Sequence, residues 1–239
     1  MTTSQPQLTV HHLQRGQSER ILWLLEELSL SYHLVIHKRA PLLAPESLKA
    51  VSSQGVAPVL VDGDLTLSES MAIATWILNK HAPANPQSAA VASSLVPGPD
   101  SPNYAPYLYW LYFILTSVQP AQSCCMMAYF DQNLTDKPDS IAKAAPRGRL
   151  QKFLGMLEER LASSPYLAGE EFTLADLMAL WPLAGARTFI PYSLARYPKV
   201  LAYVQKVAAR PAYRKAMQKG DEGLPILDGA EPVERKAHF

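Results

Sequence analysis

A small α/β unit followed by an all-α domain is the architecture that this 239-residue sequence predicts. Three observations carry the prediction. Short strand patterns alternate with helix patterns from residue 8 to residue 80, prolines crowd the stretch 82–106, and beyond it only helical periodicity is legible. The length suits one large domain or two modest ones, since domains commonly hold ~100–150 residues.

Leu8–Leu13 reads as a strand. Ile21, Leu24, Leu25 and Leu28 then recur at helical spacing, with Glu19, Arg20, Glu26 and Glu27 as the polar positions, so a helix is expected over about 16–28. Tyr32–His37 is a second strand, and Pro45-Glu46 suits the first turn of a short helix, where the missing proline N–H is not needed. Residues 59–61 and 65–67 flank Asp62-Gly63-Asp64, a hairpin signal with Gly available for positive φ. A helix over about 70–79 should bury Ile73, Trp76 and Ile77.

Pro83, Pro86, Pro97, Pro99, Pro102 and Pro106, set among Ala, Ser and Gly, have linker composition and place a boundary there. Helices are then expected over 104–130, kinked at Pro120, and over 147–161. Phe172-Thr173-Leu-Ala-Asp176-Leu177 carries a helix start: Thr173 caps while Asp176 reaches back, and Phe172 and Leu177 have staple spacing. Pro198 and Pro211 each suit a first helical turn, with Val200, Leu201, Val204, Val207 and Ala208 forming one apolar stripe. Residues 221–239 read as an extended or disordered tail.

Composition narrows the function. A formal charge of +1, with no Lys/Arg stripe, supplies no field for phosphates and predicts no nucleic-acid partner. No apolar stretch approaches the ~20 residues that span a bilayer and the start of the chain lacks a targeting pattern, so a soluble cytoplasmic protein is expected, without a membrane partner. Cys124 and Cys125 are adjacent and cannot close a loop-spanning disulfide, which fits a reducing compartment. They are expected to pack in the helical domain. The six histidines are scattered without ligand spacing, so no metal is expected; His11 and His12 alternate across a strand, which buries one of them.

Arg20-Ile-Leu-Trp-Leu-Leu-Glu-Glu-Leu28, Gly55-Val56-Ala57-Pro58-Val59-Leu60, Leu67-Ser68-Glu69-Ser70 and Phe172-Thr173-Leu-Ala-Asp176, in this order and spacing, make the chain resemble the soluble glutathione transferases of bacterial and fungal type. The resemblance runs from residue 8 to about residue 215. It implies a thioredoxin-like glutathione-binding domain over 1–81, a Pro-rich linker over 82–106, an all-helical domain over 107–220 and a C-terminal tail over 221–239. It also implies a homodimer and no cofactor beyond glutathione as co-substrate.

By this resemblance Pro58 is cis, and Ala57 offers its backbone as a strand edge to glutathione, a miniature of β-augmentation; an ordinary trans turn is the alternative. Glu69 and Ser70 meet the γ-glutamyl end, where a helix start favours negative charge, or else merely begin the helix. Lys38 and Arg39 are the nearest cations for the glycine carboxylate, and Gln14 belongs to the same pocket. Val56 stands where relatives often carry Lys, Arg or Gln, which leaves a backbone contact there.

Catalysis on glutathione requires its thiol to fall ~2 units from about 8.5, roughly 3 kcal/mol. One hydrogen bond to a charged acceptor contributes ~1.5–3 kcal/mol and a helix N-terminus about 1. The position where many relatives place Ser or Cys is Arg15 here, and no Tyr replaces it. Ser18, the amides of Gly16–Ser18 and Arg15 are therefore expected to share the thiolate, with Ser18 as a plain helix cap the alternative. Tyr104, Tyr107, Trp110, Tyr112, Phe113, Met126 and Met127 supply aromatic and soft surface for a hydrophobic electrophile expected between the domains. The resemblance implies thiol conjugation or peroxide reduction. A non-catalytic glutathione or hydrophobic-ligand carrier, an interaction protein using only the fold, and an isomerase or biosynthetic transferase using the same thiolate are the alternatives.

Overall fold

The computed structural model describes residues 8–39, 44–130 and 140–233. They divide into two units. The first takes the described residues up to Ser93 together with Ala209–Ile226; the second takes Ser94–Ala208 and the described residues from Leu227 onward.

In the first unit, β1 (Leu8–Leu13), α1 (Glu19–Glu27), β2 (Tyr32–His37), α2 (Glu46–Lys49), β3 (Val59–Asp62), β4 (Leu65–Ser68) and α3 (Ser70–Trp76) follow the expected order. The sheet runs β2-β1-β3-β4, with β1 parallel to β2 and antiparallel to β3, and β3 antiparallel to β4. The hairpin closes at Gly63, whose φ of 62° needs no Cβ relief. One sheet face packs Leu13 and Val59 on Leu48 of α2.

The polar positions of α1 are largely covered. Glu19, Arg20 and Glu26 are buried, because α10 (Pro211–Gly220), from the far end of the chain, lies on that face. Arg210 clamps Glu27 through both carboxylate oxygens, at 2.7 and 2.9 Å. The helix stops where Ser29 turns left-handed (φ 52°) and Leu30 N–H reaches back to Leu25 O.

The helix that begins at Ser70 widens into a π-helical turn over Ile77–His81, which brings His81 as well as Trp76 onto the carboxylate of Asp62, each at 2.8 Å. Within 82–106 the proline-rich composition conceals order. A 3₁₀ turn (Ala82–Ala84) leads to α4 (Pro86–Leu95), whose first turn accepts Pro86 and is capped by Asn85 Oδ1 on Gln87 N–H.

The second unit is helical. α5 (Tyr104–Phe113) passes through a π-helical turn (Ile114–Val118) into α6 (Gln119–Phe130). The irregularity falls one turn before Pro120, because its ring and missing N–H act on the carbonyl four residues back. α7 (Ile141–Ser163) starts before Pro146 rather than after it, since proline this near the N-terminus removes a single helical bond. Its Leu150, Leu154, Leu157 and Leu161 are buried.

α8 (Leu174–Leu183) opens on the expected capping box: Thr173 N–H meets Asp176 Oδ2 at 2.8 Å. Leu167 N–H and Tyr203 OH hold Oδ1 at 2.8 and 2.9 Å. A 3₁₀ turn (Gly185–Thr188) and α9 (Pro198–Ala208) complete the unit, and Glu158 of α7 caps α9 through the amides of Lys199 and Val200. In the stretch read as a tail, Asp221 and Leu227 are buried. Cys124, expected to pack, is exposed, and Cys125 is half-buried. Among the described residues no helix is long and apolar enough to cross a membrane, and no cluster of His, Cys, Asp or Glu could hold a metal.

Candidate active site

Strand register gathers the expected residues at one end of the sheet. His37 pairs with Leu13, His11 with Val59, and Val59 with Ser68. The exits of β1 and β2, the entrance to β3 and the exit of β4 therefore share an edge. Continuing each strand past its last pair brings Gln14–Ser18, Lys38 and Arg39, Ala57 and Pro58, and Glu69 and Ser70 together.

The turn between β1 and α1 is tied from within. Gln14 N–H bonds His37 O at 3.1 Å, Gly16 N–H bonds Leu13 O at 2.9 Å, and Arg15 adopts a left-handed φ of 56°. Arg39 closes it from outside, donating Nε–H to Gln14 O at 2.9 Å and Nη2–H to Arg15 O at 3.4 Å. Burial lowers the Arg39 guanidinium to about 10, opposed by Asp221, and it stays charged at neutral pH.

Ser18 occupies the N-cap position of α1, yet its hydroxyl makes no cap bond. It is fully buried, accepts Leu13 N–H at 3.1 Å and lies 2.9 Å from His12 Nδ1. The plain-cap alternative is not met, and the hydroxyl lies against His12, the buried member of the histidine pair. His12 Nε2 in turn meets Asp221 Oδ1 at 3.2 Å, a partner that no local pattern in the sequence discloses.

Arg15 is 4% exposed, and its Nε and Nη2 take no hydrogen bond among the described residues. It neighbours Glu19, which burial and the proximity of Asp221 raise to about 8 against the lowering effect of Arg20 and Arg15. Tyr213 OH donates to Glu19 Oε1 at 3.4 Å. Raised in this way, the one acidic side chain in the first turn of α1 offsets the positive helix end and Arg15 less than an ordinary carboxylate would.

Across the edge, Ala57-Pro58 is cis, as the resemblance implied. The β1–β3 ladder ends at His11–Val59, so Ala57, in the bend before Pro58, lies beyond the last pair. Val56 is 49% exposed, but its N–H and carbonyl are both engaged by Ser52 Oγ, at 3.0 and 2.8 Å. Its isopropyl group, rather than its amide, is what it presents. Glu69 is exposed with φ 73°, a conformation uncommon for a residue with a Cβ, and its carbonyl accepts Ile73 N–H at 3.0 Å. Ser70 is the buried first residue of α3.

In the helical unit Tyr107, Trp110 and Phe113 are buried, whereas Tyr109, Tyr112 and Met127 are 51%, 57% and 68% exposed. A cavity of about 380 Å³ there is lined by Pro120, Ala121, Cys124, Arg149 and Phe153, among others.

A four-stranded mixed sheet of this order, followed by a helical unit, defines a thioredoxin-like domain joined to an all-α domain. Residues 16–80 match the glutathione S-transferase N-terminal domain and residues 115–211 the glutathione S-transferase C-terminal domain. Glutathione S-transferase 3 of Zea mays is 33% identical over 208 residues, covering 83% of this chain and 87% of its own. Glutathione S-transferase 3 of Schizosaccharomyces pombe is 28% identical over 241 residues, covering 97% and 94%. A crystal structure of a glutathione S-transferase from Actinobacillus pleuropneumoniae aligns with a TM-score of 0.75 at 31% identity, covering 91% and 94%. The glutathione transferase URE2P6 of Phanerochaete chrysosporium, in complex with oxidized glutathione, aligns with a TM-score of 0.67 at 25% identity, covering 92% and 98%. The chain belongs to the glutathione S-transferase family.

Proposed function

We propose that this protein binds glutathione at the sheet edge and lowers its thiol pKa, for conjugation to hydrophobic electrophiles or for peroxide reduction. The observation that carries the reading is the convergence of Gln14–Ser18, Arg39, Ala57-Pro58 and Glu69-Ser70 through strand register. Ala57 pairs with the tripeptide backbone, Glu69 and Ser70 hold its γ-glutamyl end, and Arg39 serves the glycine carboxylate while bracing the turn. Gln14 contributes to the same pocket, and Val56 borders it with an apolar surface.

Thiol activation falls to Arg15 and the opening amides of α1. A buried guanidinium whose Nε and Nη2 take no hydrogen bond among the described residues, beside a helix start, is suited to an anion, and the raised carboxyl of Glu19 opposes one less than an ordinary carboxylate. In conjugation the thiolate attacks an electrophilic carbon and displaces its leaving group or adds across an activated double bond. In peroxide reduction it attacks the O–O bond to give a sulfenate and an alcohol; a second glutathione converts the sulfenate to disulfide and water.

Glutathione enters as a co-substrate, and the reading needs no resident cofactor. The exposed Tyr109, Tyr112 and Met127 of α5 and α6 support a homodimer, and the adjacent free cysteines are compatible with a cytoplasmic, detoxifying role.

Ultraviolet titration of bound glutathione's thiol tests the reading. Wild type should lower it by about 2 units, Arg15→Ala should return at least half of that shift, and Glu69→Ala should weaken binding. A bound thiol that titrates like free glutathione overturns activation. The inward Ser18 hydroxyl favours a second reading, a glutathione-binding protein without turnover, which intact binding with an unshifted thiol would establish.

A further inference from the structure

Asp221, just past α10, is 3% exposed and reaches a turn 206 residues earlier in the chain. Its carboxylate accepts Arg15 N–H, at 3.1 Å to Oδ1 and 3.4 Å to Oδ2, and faces His12 Nε2 at 3.2 Å. On the other side of the ring His12 Nδ1 lies 2.9 Å from Ser18 Oγ, and the same hydroxyl oxygen receives Leu13 N–H at 3.1 Å. Two amides that frame the turn, those of Leu13 and Arg15, are thus held by one connected set of side chains.

The close approach depends on Gly220, where a Cβ would stand 2.6 Å from Leu22 Cδ1 and 3.0 Å from His12 Nε2. We propose that Asp221 is a positioning residue for thiol activation, fixing the Leu13–Ser18 turn in the shape that brings Arg15 and the α1 amides to glutathione's sulfur. This rests on the thiol-activating reading above. Its charge cannot be the benefit, because a carboxylate near the site disfavours a thiolate. A positioning role and a Coulombic one therefore predict opposite signs.

The test is the titration of bound glutathione's thiol in wild type, Asp221→Ala, Asp221→Asn and Gly220→Ala, with glutathione affinity measured by calorimetry. Asp221→Ala should raise the bound thiol pKa by about 1 unit and lower kcat roughly tenfold, with glutathione KM changed less than about threefold. Asparagine preserves the acceptor oxygen and should recover most of the loss, and Gly220→Ala should move the pKa in the same direction as Asp221→Ala. A lowered or unchanged thiol pKa in Asp221→Ala overturns the proposal while leaving thiol activation intact. If Asp221→Ala fails to fold, an unchanged pKa in Gly220→Ala overturns it instead. An unshifted thiol in wild type overturns both readings together.

Discussion

Arg39 Nε donates to the carbonyl oxygen of Gln14 at 2.9 Å, so a residue just past β2 braces the turn that follows β1. In the proposed site the guanidinium thus has a bracing duty besides its charge. Arg39→Ala should lower kcat/KM for glutathione about 10- to 100-fold, the equivalent of one charge-assisted hydrogen bond at ~1.5–3 kcal/mol. Arg39→Lys should recover little, because a point charge cannot span two carbonyls. Steady-state kinetics at varied glutathione concentration measure both, and a lysine variant matching wild type contradicts the bracing role.

Asp176 receives Thr173 N–H and Oγ1–H, Leu167 N–H and Tyr203 OH at 2.8 to 2.9 Å, all deep in the helical unit. Asp176→Ala strands these donors at about 1–3 kcal/mol each before relaxation. We expect a loss of roughly 3–5 kcal/mol in denaturant unfolding, and a loss under about 1 kcal/mol would contradict this account.

Glu19 sets an alkaline limb. Its carboxyl is raised to about 8 in the folded chain from 4.5, so the native state holds a proton that the unfolded state releases. That contribution to stability is complete below the unfolded pKa and is lost as pH rises toward 8. The slope cannot exceed about 1.4 kcal/mol per pH unit for one proton. Glu19→Gln should flatten the fall in melting temperature across this window, and an unaltered slope would show that another group carries it.

His11 and His37 set the acid limb. Their rings lie 5.3 Å apart, His11 Nδ1 meets His37 Nε2 at 3.0 Å, and His37 Nδ1 meets Ser47 Oγ of α2 at 2.9 Å. Burial and the neighbouring His37 and His33 lower His11, and burial with the nearby His12 lowers His37. Folding therefore excludes protons that the unfolded chain takes up, and stability falls as pH drops below about 6.5. The double substitution His11→Asn with His37→Asn should remove most of this loss between about pH 6.5 and 5, followed by melting temperature.

Local signals in the sequence were reliable where the cause was local. Gly63 announced its hairpin, Thr173 and Asp176 their capping box, and Ala57-Pro58 its conformation through resemblance. The gathering of Gln14, Arg39, Ala57 and Glu69 at one edge follows from strand order alone. Glu19, Arg20 and Glu26 are legible as polar positions, but helical periodicity cannot report the covering helix that begins at Pro211. The inward Ser18 hydroxyl is hidden for the same reason: His12 and Asp221 join it only in the folded chain. The acid directly after a helix ending in Gly220 is visible in the sequence, whereas its burial and its partners are not.

The return of α10 to the first unit bears on how the protein is made. A nascent chain emerges from its N-terminal end, and the sheet strands are all synthesised before residue 70. The helix that covers α1, and the carboxylate that holds Arg15, follow only after Ser94–Ala208 of the second unit have been translated. Until then the helix that buries Glu19, Arg20 and Glu26 has not been made. The end of the sheet that gathers Gln14–Ser18, Arg39, Ala57 and Glu69 is therefore synthesised early, so a ribosome stalled before Asp221 would display a chain with its strands and Arg39 present and the carboxylate that holds the Arg15 amide still missing.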